Sequence, residues 1–181
     1  MTDFKIIPYM AIDGIPTFTN SEIMGIYDQM VSEGTEKKVF LDGLVTSRET
    51  FLNEIQSQDT LNFIVTNDGV RCALARITHF RQYTAHCHVL KLGDFKGQDV
   101  VASAKFTMKK LMHLKIGNRY MVDVLYGLVP ITNIPMLSLA KAMGMISIGI
   151  IPMAVYDYWE SKSLDGVFMY CTRSECDENL Q

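Results

Sequence analysis

The chain has 181 residues, of which 48% are hydrophobic and 20% are charged, and its formal net charge is −3. The length predicts one domain over residues 1–181, and the balance of hydrophobic and charged residues excludes an intrinsically disordered chain. The slight net acidity gives no electrostatic basis for binding a nucleic acid or an anionic membrane.

Localisation signals are also missing from the sequence. The first ten residues, MTDFKIIPYM, lack the basic region and the apolar core of a signal peptide. The most apolar run, residues 143–155, is interrupted by Gly149 and Pro152 and is shorter than the roughly 20 residues of a membrane-spanning helix. The four cysteines form no C-x-x-C pair, which favours reduced thiols and no metal site. We therefore expect a cytoplasmic protein without a metal.

In chain order, a short strand at 6–8 precedes two predicted helices. The first helix is predicted over 21–32, where apolar residues recur at helical spacing. The second is predicted over 47–56, with Thr46 and Glu49 as a capping box at its start.

Three strands follow these helices. The segments 61–68 and 70–80 are alternating or apolar runs joined at Asn67-Asp68-Gly69, residues that tolerate the positive φ angles of tight hairpin turns. A third strand, 84–92, follows a short loop. The three predict an antiparallel meander.

A crossover comes next. The turn 93–99 leads into a predicted helix at 100–115 and then into an apolar strand at 120–129. A strand–helix–strand connection implies a right-handed crossover between parallel strands. The first turn of a helix leaves unpaired N–H groups, so the turn before the helix predicts an anion-binding site.

The last third predicts a helix at 131–143, strands at 145–153 and 165–173, and an acidic tail at about 174–181 that we expect to be frayed. The complete order predicts an α+β fold with α/β-like character, in which one parallel crossover interrupts a sheet of mixed direction.

Two groups of polar residues are candidates for function. His86 and His88 lie on one face of their predicted strand, where a histidine with a pKa near neutrality can act as a base. The pair could also bind metal or pack against polar neighbours, but the spacing supplies no third ligand. A basic run could contact phosphate or form a solvated helix face; it comprises Lys105, Lys109, Lys110, Lys115 and Arg119.

The element order, with its single crossover, resembles the GNAT superfamily of acyl-CoA N-acyltransferases. The most specific likeness is Asn133, a short helix, and then Ala142-Met143-Gly144-Met145, which is similar to the family segment "N…klGF". The continuation GIIPMAVYDY…DGVFMY is most similar to GNAT-type proteins of tailed bacteriophages, some of which are virion or head-assembly proteins.

The resemblance implies a mostly antiparallel central sheet with helices on both faces. It also implies an acetyl-CoA-dependent N-acetyltransferase acting on an amine, with acetyl-CoA as co-substrate and no metal. His86 or His88 would be the base, and the backbone after it would bind the pantetheine arm. The cofactor-binding positions that the resemblance implies are Leu90, Lys91, Leu92, Gly97, Gln98, Asp99, Val100 and Asn133.

The sequence departs from the family pattern in two places. The family loop Q/R-x-x-G-x-G/A is replaced by FKGQDV, in which Asp99 sets a carboxylate beside the expected phosphates or caps the helix. Ala140 stands where many members carry the tyrosine that protonates the leaving thiolate, leaving Ser138 or Tyr126 as substitutes. The departures favour an alternative, a bacteriophage protein that has lost catalysis and serves in the virion or its assembly. Its partners would be copies of itself or other particle proteins.

Overall fold

The computed structural model describes residues 3–179, which form one seven-stranded sheet with helices on both faces. The helices are α1 (Asn20–Ser32), α2 (Glu36–Val39), α3 (Arg48–Gln56), α4 (Gln98–Met112), α5 (Ile134–Ala142) and α6 (Arg173–Asn179). The seven strands of the sheet are β1 (Phe4–Pro8), β4 (Leu61–Asn67), β5 (Val70–Arg81), β6 (Thr84–Lys91), β9 (Val124–Pro130), β10 (Ile146–Asp157) and β11 (Lys162–Thr172). Two small hairpins lie outside the sheet, β2 (Ala11–Ile12) with β3 (Ile15–Pro16) and β7 (Lys115–Ile116) with β8 (Arg119–Tyr120).

The sheet has the strand order β1-β4-β5-β6-β9-β11-β10. Strands β6 and β9 run parallel, and all other neighbours run antiparallel. The helix α4 makes the crossover between the two parallel strands. This arrangement confirms the predicted fold class, a mostly antiparallel sheet of mixed direction with one parallel crossover.

Each face of the sheet has its own apolar core. On one face, α1 and α3 cover β4, β5 and β6; the buried residues there include Ile26, Met30, Phe51, Ile64, Leu74, Leu90 and Leu92. On the other face, α4 and α5 cover the middle of the sheet; their core includes Ala85, Met108, Leu111, Leu125, Ala140 and Met169. On β6, even-numbered side chains therefore face α1 and α3, and odd-numbered ones face α4 and α5.

Local side-chain caps position the first helices. Thr19 caps α1, where its hydroxyl accepts the Glu22 N–H at 3.2 Å and the Glu22 carboxylate accepts the Thr19 N–H at 2.8 Å. At α3 the predicted capping box was off by one residue, because Ser47 and Thr50 form it instead of Thr46 and Glu49. Ser47 has the extended backbone that an N-cap requires.

The acidic tail is helical over Arg173–Asn179, which differs from the frayed end that we expected. Glu175 accepts the N–H and the hydroxyl of Thr172 at 2.9 and 2.8 Å, and Cys176 is fully buried in the α4-side core. A buried anchor residue explains why the charged segment is ordered. Residues 180–181 of the expected tail lie outside the described residues.

The outer strand β10 is exposed along most of its length. Residues 146–156 carry no charge. Residues 152–154 form a bulge, since Ile151 pairs with Gly166 and Val155 with Leu164. None of the helices within residues 3–179 combines the length and apolar character needed to span a bilayer.

Candidate active site at the divergence of two parallel strands

Strands β6 and β9 pair over only three residues. The ladder joins Thr84 to Val124, Ala85 to Leu125, and His86 to Tyr126. Both strands then continue, β6 to Lys91 and β9 to Pro130, without further pairing between them. A gap therefore opens in the middle of the sheet from His86 and Tyr126 onward, and its edges offer main-chain groups.

The direction of the β6 backbone decides which of these groups face the gap. The Leu92 N–H donates to the Cys72 carbonyl of β5 at 2.9 Å. Since the main-chain direction alternates along a strand, Leu90 and Leu92 face β5, while Val89 and Lys91 face the gap. Cys87 is also an odd-numbered residue of β6, and its carbonyl points toward β9, where the oxygen lies 3.6 Å from the position that a Cβ of Gly127 would take. Of the three residues expected to bind pantetheine, Lys91 alone directs its backbone into the gap, and Val89 was missed.

The turn from β6 into α4 ends at Gly97, the N-cap of the helix. Gly97 has φ +56° and ψ −123°, a conformation that L residues rarely adopt. The Asp99 N–H donates to the Lys96 carbonyl at 3.3 Å, whereas no other described group accepts the N–H of Gln98 or Val100. Two unpaired donors thus remain at the start of α4. Asp99 lies within the first turn of α4 and does not cap it. The sequence-based alternative in which Asp99 is the helix cap is therefore wrong.

A cavity of about 500 Å³ lies beside α4. Val101 and Lys105 of α4 line one side of it, and the other side is formed by the end of α5 and the start of β10, including Lys141 and Gly144. Within residues 3–179, neither lysine is in an ion pair. Both ammonium groups are therefore available to an anionic ligand.

His86 and His88 lie at the apex of the gap, on the face that α1 and α3 cover. Their ring centroids are 4.1 Å apart, and the exposed His79 lies 5.9 Å from His86. Arg76 is opposite His88 on β5 and is buried in an ion pair with Glu54. A half-buried imidazole pair therefore sits next to a buried guanidinium.

This environment keeps both imidazoles neutral. Burial, together with the nearby charges of His79 and Arg76, lowers the pKa of His86 to about 4. Burial likewise lowers the pKa of His88 to about 3, with added repulsion from His86 and Arg76. The pKa near neutrality that is expected for a histidine does not hold here, because both rings are desolvated.

Tyr126 completes the apex from the β9 side. Its ring stacks on His86, with centroids 5.2 Å apart and planes 10° apart, and on Phe168 at 5.7 Å. Ala140, at the position of the family tyrosine, is buried on the inner face of α5, and Ser138 is exposed on the same helix. Of the two residues considered as substitutes, Tyr126 is the one whose ring contacts the imidazole pair.

Comparison with solved structures agrees with this geometry. Spermidine N-acetyltransferase from Vibrio cholerae, in complex with CoA and spermine, is 12% identical with a TM-score of 0.68, covering 96% of this chain and 97% of its own. A putative acetyltransferase from Acinetobacter baylyi is 20% identical with a TM-score of 0.64, covering 95% and 94%. The acetyltransferase from Salmonella typhimurium that modifies the N-terminal serine of ribosomal protein L7/L12 is 11% identical with a TM-score of 0.69, covering 85% and 91%. No protein-family model matches the sequence, and neither does any curated protein sequence.

The chain has the GNAT fold. This finding rests on nearly full-length structural agreement at low sequence identity, so it concerns architecture. It confirms the structural part of the resemblance that the sequence suggested. Bacteriophage origin is not among the features that these comparisons support.

Asn133 lies at the start of α5, where it is the N-cap residue. Its Oδ1 accepts the Met136 N–H at 3.2 Å, so the side chain caps the helix. The cap uses the oxygen and leaves the amide NH₂ group free of partners among the described residues. Asn133 can therefore hold α5 in place and still donate to a ligand.

Glu33, which the sequence argument missed, ties the first helix to the turn before α4. Its Oε1 accepts the Gly93 N–H and the Gln29 side-chain N–H, both at 2.9 Å. The Lys91 ammonium donates to the Gly93 carbonyl from the other side. No local sequence signal could have revealed this contact, because Glu33 and Gly93 are distant in the chain.

Three histidines lie near the apex of the gap. His79, His86 and His88 approach one another, but within residues 3–179 no group of three or more His, Cys, Asp or Glu residues is arranged to hold a metal ion. A neutral imidazole pair can transfer protons and form hydrogen bonds.

Proposed function

We propose that this chain, as one domain over residues 1–181, is an N-acyltransferase that moves the acetyl group of acetyl-CoA to an amine. The observation that carries the proposal is the gap between β6 and β9 with a neutral imidazole and a phenol at its apex. The solved structures with this fold include enzymes named as spermidine and ribosomal-protein acetyltransferases, and one of them is a CoA complex.

The residues around the gap fit a CoA-type ligand in three respects. Val89 and Lys91 offer main-chain groups along the gap, which suits the amides of a pantetheine arm. The Gln98 and Val100 N–H groups are free at the start of α4, and Gly97 has no atom within 4 Å of its Cβ position, so a pyrophosphate can approach closely. Lys105 and Lys141 supply positive charge in the adjacent cavity for a nucleotide phosphate. Leu90, Leu92 and Asn133 would support this site through packing and capping.

Asp99 opposes phosphate binding at the start of α4. Its carboxylate is exposed, so water and salt screen it strongly. Charge repulsion from an exposed group costs about 1 kcal/mol or less. The two lysines of the cavity offset a penalty of this size.

The chemical step follows from the residues at the apex. The amine nitrogen bonds to the acetyl carbon, and the Val89 N–H stabilises the oxyanion that forms. The C–S bond then breaks, and Tyr126 gives a proton to the leaving thiolate. His86 accepts the proton that the nitrogen loses. An ammonium ion is a far weaker acid than an imidazolium of pKa about 4. His86 therefore accepts the proton after the N–C bond has begun to form, when nitrogen has become more acidic. His88 holds the His86 ring in position.

Calorimetric titration with CoA, followed by a thiol-release assay with acetyl-CoA and a panel of amines, tests the proposal. We expect saturable CoA binding, and His86→Gln should lower kcat by about 100-fold, the lower end of the range for a general base. Tyr126→Phe keeps the ring stack and should also lower kcat. His79→Gln is the matched control, since it changes an exposed histidine on the same face. Failure to bind CoA at millimolar concentration would refute the proposed function.

The same titration separates this function from the alternative, a bacteriophage virion or assembly protein without catalysis. The replaced loop glycine, Asp99 and Ala140 are the observations in favour of that role. An assembly protein should also associate into larger particles, and light scattering measures this association. Absence of CoA binding together with such association would support the alternative.

A further inference from the structure

The sheet continues beyond Tyr126 as an apolar floor on the same side as His86. Tyr126 pairs with Tyr170, Leu128 pairs with Phe168, and Gly166 pairs with both Pro130 and Ile151. Residues directly opposite each other in a ladder share a face. The resulting floor consists of Tyr126, Leu128, Phe168, Tyr170 and Ile151, and it starts at the imidazole pair.

The helices leave this floor open. The core under α1 and α3 ends at β6, because its sheet residues come from β4, β5 and β6. Tyr126, Leu128, Phe168 and Tyr170 are half-buried, and the Ile151 side chain is 45% exposed. An apolar surface therefore lies open directly beside the proposed reaction centre.

One wall of the floor is fixed by the turn between β10 and β11. The Tyr158 N–H donates to the Leu41 carbonyl at 2.7 Å, and the Trp159 indole N–H donates to the Phe40 carbonyl at 3.0 Å. The Tyr158 ring also packs against Gly43, where an added Cβ would come within 2.3 Å of it. These contacts tie the far end of β10 to the loop between α2 and α3, so the floor becomes a trough.

Carboxylates are almost absent from the trough. In the ranges 124–130, 146–156 and 163–172, Asp165 is the only charged residue, and its Oδ1 accepts the Met153 N–H at 3.0 Å. Glu175 reaches the Tyr170 hydroxyl at 3.3 Å, but its other oxygen is bonded to Thr172. Glu54 is paired with Arg76. At the far end of β10, Asp157 pairs with Lys162, and its Oδ1 accepts the N–H groups of Trp159 and Glu160 at 3.1 Å. The part of the floor formed by Tyr126, Leu128 and Phe168 therefore has no carboxylate from its own strands.

We infer that the acceptor is a primary amine carried by an apolar, aromatic group, with its nitrogen at His86 and its ring on Tyr126 and Phe168. The inference rests on the proposed function. It predicts a preference over a polyamine, because the floor beside Tyr126 and Phe168 offers apolar contact and no carboxylate for a second ammonium group. A free arylalkylamine and the N-terminal aromatic residue of a peptide share this chemistry. In either case the new N–C bond replaces the C–S bond, and CoA leaves as the thiol.

Competition among amines tests the inference. With acetyl-CoA at saturation, kcat/KM is measured for 2-phenylethylamine, a peptide with N-terminal phenylalanine, and spermidine. We expect the better of the two aromatic substrates to exceed spermidine by at least about tenfold, the scale of discrimination by an apolar pocket. Comparing kcat/KM for 2-phenylethylamine and for the peptide shows whether the acceptor is a small amine or a peptide N-terminus. A preference for spermidine over both would overturn the inference.

Variants on the two faces of the β10–β11 pair supply the matched control. Phe168→Ala and Ile151→Ala should each lower kcat/KM for the aromatic amine about tenfold or more, with the KM for acetyl-CoA unchanged. Ile150→Ala should have no effect, because Ile150 is 55% exposed but pairs with Val167 on the opposite face. Equal effects of Ile150→Ala and Ile151→Ala would count against the trough.

Two further measurements keep the proposals distinct. If CoA does not bind, the proposed function fails, whereas CoA binding with transfer only to spermidine refutes the acceptor class alone. If light scattering shows a dimer that Ile151→Ala dissociates, while the activity toward aromatic amines is unchanged, the floor is a subunit interface and the inference is wrong.

Discussion

Lowering the pH should destabilise this protein through His86 and His88. Burial lowers their pKa to about 4 and about 3, compared with 6.5 for an unperturbed histidine. The unfolded chain therefore binds protons below pH 6.5 that the folded chain does not bind until the pH approaches 4 or lower. The free energy of unfolding consequently rises with pH across this window, and the stabilisation is fully present above pH 6.5.

The size of the effect follows from the two shifts. Between about pH 7.5 and pH 5, each histidine accounts for up to about 2 kcal/mol of lost stability, at about 1.36 kcal/mol per unit of pKa. At pH 5 both folded imidazoles are still mostly neutral, so the two losses add to a large extent. We expect a combined loss of about 2 to 4 kcal/mol.

Urea denaturation at a series of pH values measures this loss. The double variant H86Q/H88Q should flatten the dependence of unfolding free energy on pH, with the m-value unchanged. His79→Gln serves as the comparison: it removes an exposed histidine next to His86 whose charge contributes to the lowered pKa, so it should change the slope far less than H86Q/H88Q does. If H86Q/H88Q retained the wild-type slope between pH 5 and 7.5, the reasoning from burial would be refuted.

Three more expectations concern single sites. The pH profile of kcat/KM should rise with the free fraction of the amine substrate and show no inflection near pH 6.5; an inflection there would contradict the lowered pKa of His86. Gly97→Ala should lower the free energy of unfolding by about 1–3 kcal/mol, because of its strained backbone conformation. Denaturation compared with Lys96→Ala measures this effect, and equal stability of the two variants would disprove the strain. Glu54→Gln should lower the free energy of unfolding by about 2 kcal/mol, because it leaves the buried Arg76 without its carboxylate. Adding Arg76→Met to this variant should recover part of the lost free energy. If the losses of the two single variants simply added, the ion pair would not be stabilising the protein.

The order of elements was predictable because it depends on local signals. The turn at Asn67-Asp68-Gly69, the apolar runs of the strands and the helix between two strands fixed the meander and the crossover. The shared face of His86 and His88 also followed from strand alternation alone. All of these features need information from neighbouring residues only.

The chemical character of the site depended on distant contacts. The low pKa of His86 results from its burial beside residues of β5, and its stack on Tyr126 requires the register between β6 and β9. The contact of Glu33 with Gly93 likewise joins two separate parts of the chain. At α4, capping preferences favoured Asp99, but the tight turn places the helix start at Gly97. Backbone geometry took precedence over side-chain preference there.

The bulge in β10 bears on whether this protein stays dispersed in solution. An uncharged, exposed edge strand is a template on which another chain can add a strand and start aggregation. Pro152 has no N–H group to offer, and Met153 has a φ of +52°, so the outer edge is interrupted halfway along. The residues that interrupt the strand thus act as a guard against edge-to-edge growth. Replacing Pro152 by valine should raise light scattering on storage, and an unchanged signal would show that the exposed half-strand is protected by other means.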